Sequence, residues 1–364
     1  MPCASLMPGQ AAQWMIYGAN GYTGRLIAEE AARRGLHPVL AGRTRGKIEA
    51  LAAGLGLESR VFDLGSADSI AREIAGFAAV VLCAGPFSAT ARQTMDACIQ
   101  ARAHYVDITG EIDVIEAAFE RSNAAAQAGV TLMPAAGFDV VPTDCLAASL
   151  VARLPTATKL ELAFQSRGSL SPGTTKTMIE GSPHGGRARI NGQITPVPTG
   201  WKSMEVPFRT GKRLAVTIPW GDVSSAYHST GVPNIEVYAA ASARSIARLR
   251  RAHWIQPILR LRFVREWLKR RVEKRVKGPT PEELAKSRTS IWGRVTDDRG
   301  QKVEATMETV GGYAFTVLAT LATVERILRG DAPRGFSTPS RAFGKDFALT
   351  IPGTDLRFEE GAKS

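Results

Sequence analysis

Residues 15–26 read "MIYGANGYTGRL", with Gly18, Gly21 and Gly24 evenly spaced between a short apolar run and an amphipathic stretch. Glycine has no Cβ, so three in one turn mark a backbone that adopts a left-handed conformation or approaches another group closely. The flanks set the context. "WMIYG" (14–18) has the apolar density of a buried strand, and 22–34 has helical periodicity ending at Gly35. A glycine-lined turn from strand into helix presents free main-chain N–H groups to an anion.

The same alternation runs through the first 140 residues. Strands are expected at "HPVLAGR" (37–43), "SRVFDL" (59–64), "FAAVVLCAG" (77–85), "HYVDIT" (104–109) and "GVTLMPAAG" (129–137). Helical patterns fill "RGKIEALAAGLG" (45–56), 66–75, 89–102 and 111–128. Nearly continuous apolar runs belong to strands covered on both faces. Strand–helix alternation at this spacing gives an α/β fold with a doubly wound parallel sheet, the Rossmann arrangement, whose first βα turn binds a dinucleotide. Gly18 then permits the turn off the strand, Gly21 admits a pyrophosphate to the backbone, and Gly24 lets the helix pack close. Ala19 and Asn20 fill a loop one residue longer than GxGxxG, with Asn20 tolerating a left-handed conformation, and Tyr22 and Thr23 open the helix.

About twenty residues beyond the last glycine, an NAD site places an acid against the ribose. This chain has "AGRTRGK", with Arg43 at the strand end and Lys47 nearby. A guanidinium grips a 2′-phosphate that a carboxylate would repel, so NADP(H) is the expected cofactor. Asp63, ending the third strand, meets the adenine edge or caps the next helix. In "CAGPF", Ala84, Gly85 and Pro86 fall where backbone passes the nicotinamide ribose.

From about residue 142 the texture changes. "TKLELAFQS" (158–166), "PNIEVYAAAS" (233–242), "SIWGRVTD" (290–297) and "KVEATMETV" (302–310) alternate like half-buried strands. A Gly/Pro-rich loop is expected at 168–193, interrupted by a helix at "PGTTKTMIEG" that is capped by Thr174 or Thr175, closed by Gly181 and placed over the nicotinamide. Residues 312–330 read as a long apolar helix.

Four stretches carry a family resemblance: "GANGYTGRLIAEEAARRG", "VVLCAGPFSATARQTMDACIQARAHYVDITGE", "PAAGFDVVPTDCLA" and "IPWGDVSSAYHSTGVPNIEVY". Together they resemble saccharopine dehydrogenase-like oxidoreductases, nearest the bacterial trans-acting enoyl reductases. The resemblance implies an N-terminal NADP-binding Rossmann domain and a C-terminal α+β mixed-sheet domain. It also implies a nicotinamide-dependent reduction without fixing the substrate. The expected division is 12–141 for the cofactor domain, with 311–364 returning to it, and 142–310 for substrate and dimerisation.

Other chemistries lack their motifs. No Tyr is followed four residues later by Lys, there is no GxSxG or GxxxxGK[ST], and the five histidines show no ligand spacing, so no metal is expected. The proton that accompanies hydride transfer has six candidate donors, Tyr105, Asp107, Asp139, Lys176, Asp222 and Tyr227, and the sequence does not choose among them. The leading expectation is NADPH-dependent reduction of an enoyl or carbonyl group on an acyl or lipid-like substrate. One alternative is a saccharopine-type dehydrogenase, for which Arg167, Arg187 and Arg189 would form the carboxylate-binding cluster. Another is a cofactor-bound accessory protein without catalysis.

Net charge is +12, and residues 244–277, with 13 Lys/Arg and 2 Glu, carry +11 of it. After Pro257, Leu261, Val264, Leu268, Val272 and Val276 recur at helical spacing, with Phe263 and Trp267 alongside. Such a basic amphipathic helix suits an anionic membrane surface or an acyl carrier or synthase partner. It also suits packing on its own domain or across a homodimer. No nucleic-acid module accompanies the charge, so none is expected as a partner. The four cysteines have no framework spacing, and no run of about 18 apolar residues or signal-type start is present, so a cytoplasmic protein, peripheral at the inner membrane face, is expected.

Overall fold

The computed structural model describes residues 12–166, 171–251, 259, 261–275 and 278–359. Strands β1 (Trp14–Tyr17), β2 (Val39–Gly42), β3 (Ser59–Val61), β4 (Ala79–Leu82), β5 (His104–Asp107) and β6 (Thr131–Met133) alternate with helices α1 (Tyr22–Arg33), α2 (Arg45–Leu55), α3 (Ala67–Glu73), α4 (Phe87–Ala101), α5 (Ile112–Glu120) and α6 (Ser122–Ala128). The helical pattern over 111–128 is therefore two helices meeting at Arg121. All strands of this sheet run parallel, in the order β15-β6-β5-β4-β1-β2-β3, where β15 is Gly335–Phe336. The chain direction reverses across the sheet between β1 and β4, which opens a crevice at their C-terminal ends.

The strand residues explain the two covered faces. Trp14 and Ile16 join Leu40, Val81, Val106 and Met133 on one side, whereas Met15 and Tyr17 join Val39, Val80, Tyr105 and Leu132 on the other. Both sets are buried, so the alternation carries no polar face and the strands read as unbroken apolar runs.

The second sheet runs β10-β11-β12-β7-β13-β14-β16, with β8 and β9 attached to β12. Its strands are β7 (Ala157–Ser166), β8 (Gly186–Ile190), β9 (Gln193–Val197), β10 (Ser203–Phe208), β11 (Gly211–Thr217), β12 (Asn234–Ala240), β13 (Arg288–Asp297), β14 (Lys302–Val310) and β16 (Asp355–Phe358). The sheet is mixed, since β12 pairs parallel with β7 and antiparallel with β11. The loop expected over 168–193 contains β8 and the turn into β9. Asn191 and Gly192, at φ 49 and 80, make the tight turn that an Asn-Gly pair favours.

Helices α7 (Val141–Val151) and α9 (Asp222–Thr230) cover one face of this sheet. The remaining helices are α8 (Pro172–Gly181), α10 (Ala243–Arg251), α11 (Arg262–Arg275), α12 (Pro281–Lys286), α13 (Gly312–Leu328) and α14 (Pro339–Phe343). The C-terminal segment divides between the sheets. Val317, Leu321, Val324 and Ile327 of α13 pack with Ile27, Ala28 and Ala31 of α1, and β15 extends the first sheet, but β16 pairs with β14 of the second. Residues 360–364 lie outside the described residues. Among the described residues, no helix is long and apolar enough to cross a membrane.

Asp222, the first residue of α9, is fully buried, and neither carboxyl oxygen has a hydrogen-bond partner among the described residues. Burial, with Asp144 and Asp139 nearby, pushes its pKa well above the ordinary carboxylate value. A carboxyl raised on folding contributes most favourably below its unfolded pKa of about 3.9, and that contribution is lost as pH rises towards the folded value. Asp222→Asn removes this penalty. The variant should be more stable than the parent by about 1–3 kcal/mol at pH 8, with the difference shrinking toward pH 4. Urea unfolding at both pH values checks this, and a pH-independent difference would refute it.

Candidate active site

The three glycines enclose one carbonyl. Gly18 adopts φ 82, and a Cβ there would lie 2.8 Å from Ala84 N, so β1 and β4 converge at this residue. A Cβ on Gly24 would overlap the Gly18 carbonyl oxygen, and one on Gly21 would stand 3.2 Å from it. Gly24 therefore brings α1 against the strand end, and Gly21 keeps the turn narrow. Asn20 is exposed and is not among the residues at positive φ, so Gly18 alone supplies the left-handed conformation that Asn20 was expected to share.

The turn fits a dinucleotide. Gly21 is the N-cap of α1, with no side-chain cap and no acid in the first turn. The first helical bond runs from Arg25 N–H to Gly21 O at 2.9 Å, leaving the Tyr22, Thr23 and Gly24 N–H groups without a main-chain acceptor. These donors and the helix dipole suit a pyrophosphate. Arg43 and Lys47 are exposed beside the turn and form no ion pair among the described residues, whereas Arg45 is held by Glu49 at 2.7 Å. Asp63 is exposed, accepts from Leu64 N at 2.9 Å and leaves the cap of α3 to Ser66.

The other wall is held by acids. Thr90 Oγ1 donates to Ala84 O at 2.7 Å, and Glu111 accepts from Phe87 N and Ser88 N at 2.9 and 2.8 Å. Glu111 thereby caps α4 directly after Gly85 and Pro86. Asp107 accepts from Tyr105 OH at 2.6 Å, Thr109 N at 2.9 Å and Ala135 N at 2.7 Å. Burial raises its pKa to about 6 against these three hydrogen bonds.

A cavity of about 180 Å³ lies beside this wall, and its lining includes Phe138, Asp139, Phe164, Trp220, Leu284 and Tyr313. It adjoins the glycine turn through Tyr22, whose ring meets Tyr313 edge-on at 5.1 Å and whose hydroxyl donates to Pro279 O at 2.8 Å. Tyr313 OH accepts from Ser171 N at 2.6 Å and lies 3.0 Å from Thr174 Oγ1, which ties α8 to the start of α13. Ser171, not Thr174 or Thr175, caps α8. Trp220 Nε1 donates to Asp139 O at 2.6 Å and stacks at a tilt on Phe164, 4.8 Å between centroids.

Of the six candidate donors, Asp139 alone lines this cavity. Tyr105 and Asp107 are buried together in the sheet core, and Asp222 is buried at the start of α9. The Tyr227 ring lies under the Arg189 guanidinium at 4.1 Å, and Lys176, on α8, is not among the lining residues. The Asp139 carboxyl accepts no hydrogen bond from the described residues, and burial raises its pKa to about 7. Gly110 leaves it room, since a Cβ there would stand 2.7 Å from Asp139 Oδ2. Sequence reasoning missed Tyr313, Trp220, Phe138 and Phe164. A signal for Tyr313 was available in the Gly311-Gly312 pair just before it.

Replacing Arg43 tests the cofactor side. Arg43→Ala should weaken NADPH binding by about 1.5–3 kcal/mol, the scale of a hydrogen bond to a charged group, and leave NADH binding nearly unchanged. Calorimetric titration with both cofactors decides, and equal losses would remove Arg43 from the 2′-phosphate.

Residues 14–133 match the family model described as the saccharopine dehydrogenase NADP binding domain. A putative trans-acting enoyl reductase of Mycobacterium tuberculosis is 31% identical over 180 residues, covering 46% of this chain and 43% of that protein. The human saccharopine dehydrogenase-like oxidoreductase is 34% identical over 151 residues, covering 36% of this chain and 35% of that protein. The matches span less than half the length of these relatives. Apo saccharopine dehydrogenase (L-Glu forming) from Saccharomyces cerevisiae shares the fold, with a TM-score of 0.64, 12% identity and coverage of 96% of this chain and all of that one. Residues 14–133 therefore carry an NADP-binding domain of the saccharopine dehydrogenase type, and the chain is similar to saccharopine dehydrogenase-like oxidoreductases and trans-acting enoyl reductases over less than half its length.

Proposed function

We propose that this protein is an NADPH-dependent reductase of an enoyl or carbonyl group on an acyl or lipid-like substrate, with Asp139 as the proton donor. The observation that carries the reading is the cavity beside the glycine turn. Its lining joins the rings of Phe138, Phe164, Trp220 and Tyr313 and Leu284 to serine and threonine hydroxyls. It holds the carboxyls of Glu283 and of Asp139, the latter with a pKa raised to about 7, and contains no lysine or arginine among the described residues.

A substrate with several carboxylates needs cations to hold it. The arginines considered for that role are engaged elsewhere. Arg187 pairs with Asp113 at 2.5 Å. Arg189 is buried and donates to Glu116 at 3.0 Å, Val223 O at 2.8 Å and Gly192 O at 2.7 Å. Arg167 lies outside the described residues. The apolar cavity therefore favours an acyl chain over a saccharopine-type substrate.

Bound NADPH supplies a hydride. The chain's own residues do the rest. The Tyr22, Thr23 and Gly24 N–H groups and Arg43 hold phosphates, Phe164 and Trp220 exclude water, and the Trp220 bond to the Asp139 main chain fixes where that carboxyl stands. Asp139, half-buried at the cavity wall, keeps its proton near neutral pH and delivers it to the carbon or oxygen that gains electron density. An acid works best when its pKa lies near the working pH.

Three measurements test this reading. Consumption of NADPH should be stimulated by enoyl or ketoacyl thioesters and not by lysine with a 2-oxo dicarboxylate; the reverse would favour the saccharopine-type reaction. NADPH binding without turnover on either class would favour an accessory role. With an active substrate, kcat for reduction should fall as pH rises through about 7, because Asp139 loses its proton there. Asp139→Asn should lower kcat about 10²–10³-fold, at unchanged NADPH affinity, and flatten that limb of the profile. A variant that retains full kcat would exclude Asp139 as the donor.

A further inference from the structure

The basic segment splits into two uses that the sequence pattern merges. Val264, Leu268 and Val272 of α11 are half-buried, and α11 packs against α8. On that side Lys269 pairs with Glu180 of α8, and Arg265 lies 3.7 Å from the same carboxyl. Of the uses expected for the apolar stripe, packing on its own domain accounts for Val264, Leu268 and Val272. Val276 and Pro257 lie outside the described residues.

A different set of side chains faces outward. Phe263 is 71% exposed, Trp267 57% and Leu261 46%, and on α8 Met178 is 59% exposed. Phe263 and Trp267 are one helical turn apart, hence on one face. Exposed Arg270, Arg271 and Arg275 accompany them; none forms an ion pair among the described residues, and Arg271 lies 5.5 Å from the Trp267 ring centroid. Glu266, an exposed acid of α11, is paired with Lys269 at 3.0 Å.

We propose that the outer face of α11, built on Leu261, Phe263 and Trp267 with Arg270, Arg271 and Arg275, docks on the surface of an anionic lipid bilayer. Aromatic rings beside arginines match the layered chemistry of that surface, where rings enter the headgroup–acyl boundary and cations stay with lipid phosphates. A purely electrostatic partner would use the arginines and leave the rings in water. The position of the face fits a lipid source. α11 rests on α8, whose Thr174 lines the cavity, and the chain beyond α11 reaches Pro279, which also lines it and accepts the Tyr22 hydroxyl. The choice of lipid as the occupant rests on the acyl-reductase reading, but docking itself requires no turnover.

Flotation of the full chain with vesicles of phosphatidylcholine, and of phosphatidylcholine containing phosphatidylglycerol, tests the proposal at low and high salt. Binding to the anionic vesicles at low salt is expected, with loss at high salt and little binding to neutral ones. Phe263→Ser with Trp267→Ser should reduce the partition coefficient at least ~10-fold, as should Arg270→Glu with Arg271→Glu and Arg275→Glu. Both sets should keep the parent's NADPH affinity, which shows that they remain folded and separates failure of docking from failure of the reductase reading. Absence of binding by the parent, equal binding to neutral vesicles, or unchanged binding by the aromatic variant would overturn it. So would capture by an acidic acyl carrier protein without any vesicle binding.

Discussion

Helix α1 begins so close to the end of β1 that only hydrogen atoms fit between Gly24 and the Gly18 carbonyl. That approach requires Gly18 at positive φ and draws the start of β1's turn against Ala84 at the end of β4. Three consequences follow from one contact. The first-turn N–H groups of α1 open onto the crevice, Tyr22 reaches across to Tyr313 and Pro279, and α13 lies along α1 with its apolar residues in the same core. The cofactor turn and the cavity wall are therefore joined by side chains rather than merely adjacent.

Four carboxylates near this crevice show how environment divides one functional group into separate roles. Glu111 caps a helix and Asp107 ties two strand ends through three donors, so both are committed to structure. Asp222 is sealed in the core, and neither of its carboxyl oxygens has a hydrogen-bond partner among the described residues. Asp139 is half-buried at the wall of an apolar cavity, where burial raises its pKa and leaves a face open to a ligand. Only the last combination suits proton delivery, and it arises from neighbours distant in sequence, Trp220 and Phe164 among them.

The first sheet was legible because its signals are local. Apolar runs such as "WMIYG" and the glycine turn mark strand and helix wherever the chain later goes. The expectation that Arg43 selects the cofactor rests on the same kind of local signal, since a strand end fixes which residue can reach the ribose. The second sheet was less so. β8 and β9 hid in a Gly/Pro-rich stretch although Asn191-Gly192 carries a hairpin signal, and the α8 cap fell on Ser171 because Pro172 starts the helix earlier than the threonines suggest. The proposed proton donor was not legible, because the six candidates are told apart by burial and by partners distant in sequence. The basic segment was legible in part, since packing on its own domain was among the expected uses. Val264 and Leu268 are half-buried on a helix that packs on α8, and the exposed rings sit on its other side.

A crystal structure with NADPH bound tests the central claim, that the glycine turn and the Asp139 cavity form one site. The account predicts the pyrophosphate at the Tyr22–Gly24 amides, the 2′-phosphate on Arg43 and the nicotinamide ring open to the cavity that Asp139 and Trp220 line. A nicotinamide ring turned away from that cavity, or a 2′-phosphate free of Arg43, would contradict it.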